Sequence, residues 1–339
     1  MQNNINNMIR KDTRYDVNFL YFDEGPHKYT DTLNNDYISV TTLIGNYYPH
    51  FDVNKWARIK SKEQNKTEKE IKKEWDRIKD EACDRGTKTH NGLEDAIKNV
   101  SKFANAIEYL NNTNTGRCIT VADIPNLIPK PLNIEEFKKA TNNKYEEIYR
   151  VFDYYIQRGY TIYSEIGAYL IDYGVSGTID ILCIKEDNFV ILDWKTNRDG
   201  LKFEAGYYKK DKSTVPNQLT MDWVTKNEKM LPPLAHLDNC NGNHYTIQLS
   251  MYALMVEIIL GIPCVGVGLC HIGSPWVLNK HGQPYRDSAG YHVIEDGEET
   301  VKWYRISYLK NECIALLKDR YITFKKSNKP INTQLNLFT

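Results

Sequence analysis

Apolar positions recur along this chain with two periods, and the switches between them mark its elements. Val175 to Ile184 alternates and is rich in β-branched residues. Glu186-Asp187-Asn188 supplies turn chemistry, and Phe189 to Leu192 is a short apolar run ending in Asp193-Trp194-Lys195. The pattern predicts a β-hairpin over 174–196. A second hairpin is expected over 17–30, turned at Asp23-Glu24-Gly25-Pro26, with Ser39 following as a helix N-cap. Residues 54–98 carry the helical period: Ile71, Trp75, Ile78 and Ala82 share one face, and the stripe continues through Gly86, His90, Leu93 and Ile97.

Further helices are expected near 134–157, over 244–260 and over 310–325, and strands over 161–170, 263–272 and 300–309. Residues 196–243 read as polar and irregular, with a short helix near 213–229. Residues 111–133 carry N-N-T-N-T-G and I-P-N-L-I-P-K-P and read as a linker. The expected organisation is a loose N-terminus at 1–14 and one folded domain at 15–325. That domain divides into a hairpin-and-helix part at 15–110, the linker, and a core at 134–325. A tail follows at 326–339.

Composition narrows the class. The 339 residues are 41% hydrophobic, enough to build a sizeable core. Lys+Arg and Asp+Glu both number 44, so the chain is not a generally basic nucleic-acid coat and any such contact uses local patches. The seven cysteines are scattered without a C-x-x-C, as suits a reducing compartment. The polar, Asn-rich opening is not a signal peptide, and no apolar run approaches the ~20 residues of a membrane helix. A cytoplasmic protein with no membrane partner is expected.

The chemistry gathers at the end of the 174–196 hairpin. Asp193 and Lys195 are two apart and project from one strand face, and Asp180 lies on the partner strand. Two carboxylates with an ammonium suit a hard divalent cation, with the lysine holding a water or a phosphate oxygen beside it. The plainer alternative is a surface ion pair. His90, taken alone, reads as a core histidine, and Glu94, one turn on along the same face, as a surface acid or as a group assisting through a water. From Lys55 to Lys88 there are 12 Lys/Arg and 8 Asp/Glu, which reads mostly as a solvated face of paired charges. Arg198, Lys202, Tyr207, Tyr208, Lys209 and Lys210 interleave basic with aromatic residues. That pattern suits a single nucleic-acid strand, or simply a surface loop.

Taken in order, the chain carries S-V-T at 39–41, G-T-K-T-H at 86–90, Glu165, G-T-I-D at 177–180, D-W-K-T at 193–196 and Q-L-S-M-Y at 248–252. This train resembles the PD-(D/E)XK nuclease superfamily, specifically its RecB-like, phage-type exonuclease group. The resemblance implies an α/β, restriction-endonuclease-like core: a mixed central β-sheet flanked by helices, with an N-terminal hairpin and helical layer. It implies Mg2+ or Mn2+ held by His90, Asp180, Asp193 and the Trp194 backbone carbonyl. Lys195 would position and help deprotonate the attacking water, and Glu165, Gln248 and Tyr252 would complete the catalytic set. Some members hold a four-cysteine iron–sulfur cluster; the cysteine spacing here offers none, so no cluster is expected.

The implied activity is a DNA exonuclease of replication, recombination or repair, working on a single strand or free end in a bacterial or phage-infected cell. A structure-specific or nicking endonuclease and a non-catalytic DNA-binding scaffold are the alternatives. Finally, Q-L-N-L-F at 334–338 resembles the pentapeptide that binds the bacterial sliding clamp. Gln334 would make polar contacts, and Leu335, Leu337 and Phe338 would fill apolar pockets. The alternative is a tail packed on its own domain.

Overall fold

The computed structural model describes residues 12–23, 25–26, 28–100, 116–128, 131–288 and 290–327. The N-terminal strands are β1 (Leu20–Asp23), β2 (Lys28–Asp31) and β3 (Asp36–Ser39), followed by helices α1 (Val40–Gly45), α2 (Val53–Gln64) and α3 (Glu68–Val100). A 3₁₀ turn (Val121–Asn126) precedes α4 (Ile134–Ala140), α5 (Glu146–Gln157), β4 (Thr161–Leu170), β5 (Val175–Ile184) and β6 (Phe189–Lys195). Then come β7 (Gly206–Asp211), β8 (Gln218–Thr225), α6 (Asn241–Leu260), β9 (Cys264–Gly273), β10 (Thr300–Ile306) and α7 (Lys310–Ser327). Among the described residues, no helix is long and apolar enough to cross a membrane.

The fold is α/β, built on one mixed sheet. Its strands run in the order β1-β2-β3-β5-β6-β9-β10, with β4 also paired to β5. Alternation decides which side chains point where. On β6, Phe189 and Ile191 join the core beneath α6, while Val190, Leu192 and Trp194 join the core under α3, α4 and α5. Trp194 is buried between Phe152 and Trp303, with ring centroids 6.0 Å from each. This anchor commits Asp193 and Lys195 to the α6 face. Helix α6 is buried nearly all round, beyond the one apolar side expected of it, because α1, α7, the 3₁₀ turn and the sheet surround it.

The predicted hairpins at 17–30 and 174–196 form, and Ser39 accepts from the Thr42 N–H as an N-cap. Several expectations need correction. The helical stretch 54–98 is two helices, split where Asn65 closes α2 in the left-handed conformation. The 134–157 helix is likewise split by Asn142 and Asn143, both at positive φ. Residues 213–229 form no helix: β8 occupies 218–225 and pairs antiparallel with β7.

The linker is not a mere spacer either. Within 116–128, Val121, Ala122, Ile124 and Leu127 are buried, and Gly167 N–H donates to the Ile119 carbonyl at 2.9 Å. The N-terminus is held from residue 12: Tyr15 is buried, and Arg14 bonds both Asp12 and Asp172. Residues 1–11 and the tail from 328 on, including Gln334, Leu335, Leu337 and Phe338, lie outside the described residues.

One glycine shows how tightly the hairpin is seated. Gly174 opens β5 at φ +57°, and a Cβ there would overlap the Phe324 ring of α7. Gly174→Ala therefore meets both backbone strain and overpacking. It should cost about 2–3 kcal/mol, read as a lowered midpoint in chemical denaturation; an unchanged midpoint would show that α7 yields freely.

Candidate active site

The register Ile181↔Leu192 sets Asp180 beside the Asp193-Trp194 peptide, and the Trp194 N–H donates to Asp180 Oδ2 at 3.1 Å. The Lys195 ammonium forms an ion pair with the Asp193 carboxylate and lies over the Tyr245 ring, 4.6 Å from its centroid. On the neighbouring strand, the register Ser164↔Ile181 and Ile166↔Ile179 puts Glu165 opposite Asp180. Glu165 adopts φ +50°, a strained position for a non-glycine residue. From α3, His90 Nδ1 stands 3.6 Å from Asp180 Oδ2.

Two glycines of the motif train have steric reasons. A Cβ on Gly86 would meet Thr196 Oγ1 at 3.0 Å, so glycine lets α3 approach the end of β6. A Cβ on Gly177 would meet the Tyr252 hydroxyl at 2.7 Å, so glycine lets the buried tyrosine of α6 lie against β5. Gln248, one turn earlier, lies near the Tyr252 hydroxyl and partly offsets the rise that burial imposes on it.

The electrostatics are those of a site crowded with acids. Burial pushes the Asp193 carboxyl up to about 7, Asp180 adds to the push, and Lys195 only partly opposes it. Burial also raises Asp180, against the pull of Lys195 and the Trp194 N–H. Glu165 is pushed up to about 8, first by burial and then by Asp180 and Glu94. Glu94 is itself ion-paired with Lys98. Burial presses the Lys195 ammonium down, but Asp193 and Asp180 outweigh it and hold the group protonated. His90 is lowered by burial and by Lys195, so its ring is neutral at neutral pH.

A cleft of about 1030 Å³ opens over this set. His90, Lys195, Tyr245 and Gln248 line it, while Asp180 and Asp193 lie just beneath, with side chains 15% and 4% exposed. The donor set, hard carboxylate oxygens with one neutral imidazole, fits Mg2+ or Mn2+. Among the described residues, no group of three His, Cys, Asp or Glu side chains is placed to hold a metal ion. The Asp193 carboxylate is turned to Lys195, so a cation binding there would have to displace that ammonium.

Farther out, Trp75, Ile78 and Ala82 line the same cleft; the upper half of the predicted apolar stripe faces this opening, while Leu93 and Ile97 below it are core. Of the proposed nucleic-acid contacts, Arg198 lines the cleft and Lys202, Tyr207, Tyr208, Lys209 and Lys210 do not. Lys202 donates to the Tyr208 hydroxyl at 2.7 Å, which occupies both residues. Tyr207, Lys209 and Lys210 lie on β7, with Tyr207 49% exposed.

Sequence reasoning missed Tyr245 and Asn197. Asn197 Nδ2 donates to the Tyr245 hydroxyl at 2.9 Å, and the Asn197 carbonyl accepts from His271 Nε2 at 2.6 Å. The signal for Tyr245 was present: positions 245, 248 and 252 fall on one face of a helix. Asn197 had none, because its partners come from distant elements. Compared with known protein families, curated proteins and solved structures, the chain finds no match.

Proposed function

We propose that the protein is a Mg2+- or Mn2+-dependent DNA nuclease of the PD-(D/E)XK, RecB-like type, hydrolysing phosphodiester bonds from a free strand end. One observation carries this reading: Glu165, Asp180 and Asp193 are crowded with His90 at the floor of an open cleft, and Lys195 is the cation paired among them. Carboxylates that burial and mutual repulsion keep protonated toward neutral pH are a set that a divalent cation stabilises. Asp180, Asp193, neutral His90 and the Trp194 carbonyl would hold it. When bound, the metal supplies charge stabilisation to the attacking and leaving oxygens.

The chain's own groups do the rest. Lys195, kept protonated by its acidic neighbours, donates to the attacking water or to a non-bridging phosphate oxygen; it is a positioning cation rather than a free base. Glu165 retains its proton to about pH 8 and serves as a donor or a reserve ligand. Tyr252 wedges against Gly177 and, through Gln248, holds the polar edge of α6 toward the site.

Covalently closed and linear single strands test the exonuclease form: degradation of the linear strand alone is expected, and nicking of a closed circle would reassign the chain as an endonuclease. His90→Ala should weaken the apparent affinity for Mg2+ more than tenfold and shift preference toward Mn2+. An unchanged metal titration together with a lowered melting temperature would make His90 a packing residue only. The tail from Gln334 to Phe338 is proposed to tether the enzyme to a bacterial-type sliding clamp. Deleting 333–339 should abolish retention on immobilised clamp, and equal retention of both forms would remove that partner.

A further inference from the structure

Beside the catalytic cleft lies a second cavity, of about 550 Å³, between α3 and the arm that joins β9 to β10. Ile78, Ala82 and Arg198 line both spaces, so the two are contiguous. The arm folds on itself through paired positions Trp276↔Ile294 and Arg286↔His292. It docks on α3 by stacking: the Arg77 guanidinium lies 3.5 Å from the Tyr291 ring centroid, and the Arg85 guanidinium 5.0 Å from that of Trp276.

Several buried donors at this seam lack hydrogen-bond partners among the described residues. They are Nε of Arg85 and the Trp276 indole nitrogen on the cavity wall, Nε of Arg286 on the strand segment paired with His292, and the one N–H of the neutral His292 ring, whose other nitrogen is an acceptor without a partner. The cavity wall carries Arg77, Arg85, Lys88 and Arg198 against two carboxylates, Glu81 and Asp84, and Glu81 is already paired with Arg77 at 2.6 Å. Asp199, the carboxylate near Arg286 and His292, is already taken by Arg198 through two bonds of 2.9 and 2.5 Å. Glu74 acts on Arg286, and Glu81 and Glu299 on Arg85, through space. Burial and the neighbouring Arg198 lower both Arg85 and Arg286, and burial with Arg198 and Arg286 lowers His292 to about 4.

Buried cationic donors without partners destabilise a fold, and an anion entering among them removes that cost. The planar fork of a guanidinium matches the oxygens of phosphate, and the wall shared at Arg198 leads to the catalytic floor. We propose that Arg85, Arg198, Arg286 and His292 form a phosphate-binding subsite, which grips one phosphate of the nucleic-acid strand whose scissile bond lies over Asp180 and Asp193. The anionic class of the ligand follows from the cluster itself; its assignment to a nucleic-acid strand rests on the nuclease reading.

The test is binding of a short, labelled single strand to the full-length protein, with EDTA present to stop hydrolysis, followed over a salt series. Arg85→Gln and Arg286→Gln should each weaken binding about tenfold and lower the salt slope by about one phosphate contact. Inorganic phosphate should compete with the strand on the wild type and compete less on Arg286→Gln. The melting temperature of Arg286→Gln should match or exceed wild type, since an unpaired buried charge is gone, while Arg85→Gln, which also loses its stacking on Trp276, should melt slightly lower. If a Gln variant fails to fold, Arg286→Lys carries the test: it keeps the charge but loses the fork, and must bind more weakly than wild type.

A loss confined to 5′-phosphorylated strands places a terminal phosphate in the subsite, and an equal loss with 5′-hydroxyl strands places an internal one; both support it. Unchanged affinity and salt slope in the folded variants overturn it, as does a wild type that binds neither strand nor phosphate. A wild type that binds the strand yet hydrolyses none with Mg2+ or Mn2+ removes the nuclease reading and leaves the subsite to be judged on binding alone.

Discussion

Asp193→Ala and Lys195→Ala should each reduce phosphodiester cleavage by at least about a thousandfold, since in the proposed nuclease each would remove charge stabilisation at the reacting phosphate. The fold should survive both changes, for different reasons. Asp193 is buried with Asp180 and Glu165 nearby, so removing it relieves repulsion, and Asp180 remains to balance the Lys195 ammonium. Lys195 leans on the Tyr245 ring at the cleft floor, and its loss opens space that water fills. Trp194, between them, holds β6 from the opposite face and is untouched. Circular dichroism alongside the rate separates this outcome from unfolding; a folded Asp193→Ala enzyme cutting at wild-type rate would place the chemistry elsewhere.

The second large effect is a linkage between pH, metal and stability. Asp193 titrates near 7 and Glu165 near 8 in the folded chain, against about 4 for such groups when unfolded. Between these values the folded state binds more protons than the unfolded state, so stability falls as pH rises, and the loss is complete above the folded values. His90, His271 and His292 are lowered by burial and work in the opposite sense, but only below their unfolded value of about 6.5. From about pH 6.5 to 8.5 the carboxylates therefore act alone. Without divalent cation the protein should melt several degrees lower at the upper end of that window. Mn2+ or Mg2+, which binds the ionised carboxylates, should restore the loss, and Asp193→Asn should flatten the pH dependence. Scanning calorimetry across the window, with and without metal, checks this; a wild-type melting point indifferent to both would contradict the crowded-acid account.

Much of the sheet was legible because strand period, turn residues and chemistry coincide. The 174–196 hairpin shows alternation, an Asp-Asn turn and the Asp-x-Lys end in one stretch, and it folds as written. The train from His90 to Tyr252 was legible as an order of types, and α3 and α6 bring those residues to one place. Where tertiary context decides, the pattern ran out. Pro125 and Asn126 look like linker residues, yet the apolar positions around them are clamped by Thr120 and Asp123, and Arg117 pairs with Asp123 at 2.9 Å inside the protein. The β7–β8 ribbon hid among lysines, where alternation such as Leu219, Met221 and Trp223 was diluted by charge. An apolar stripe such as Trp75, Ile78 and Ala82 shows that a face is apolar, not whether protein or an open cleft covers it. The Arg85–Arg286–His292 cluster joins positions some two hundred residues apart, so no local pattern announces it.

The central claim is that a divalent cation at Asp180 and Asp193 drives phosphodiester hydrolysis in this cleft. End-labelled single-stranded DNA incubated with the full-length protein in Mg2+, in Mn2+ and in EDTA tests it most directly. The account predicts shortened products with either metal and none in EDTA. Cleavage that persists undiminished in EDTA, or intact DNA under both metals with folded protein, would contradict it.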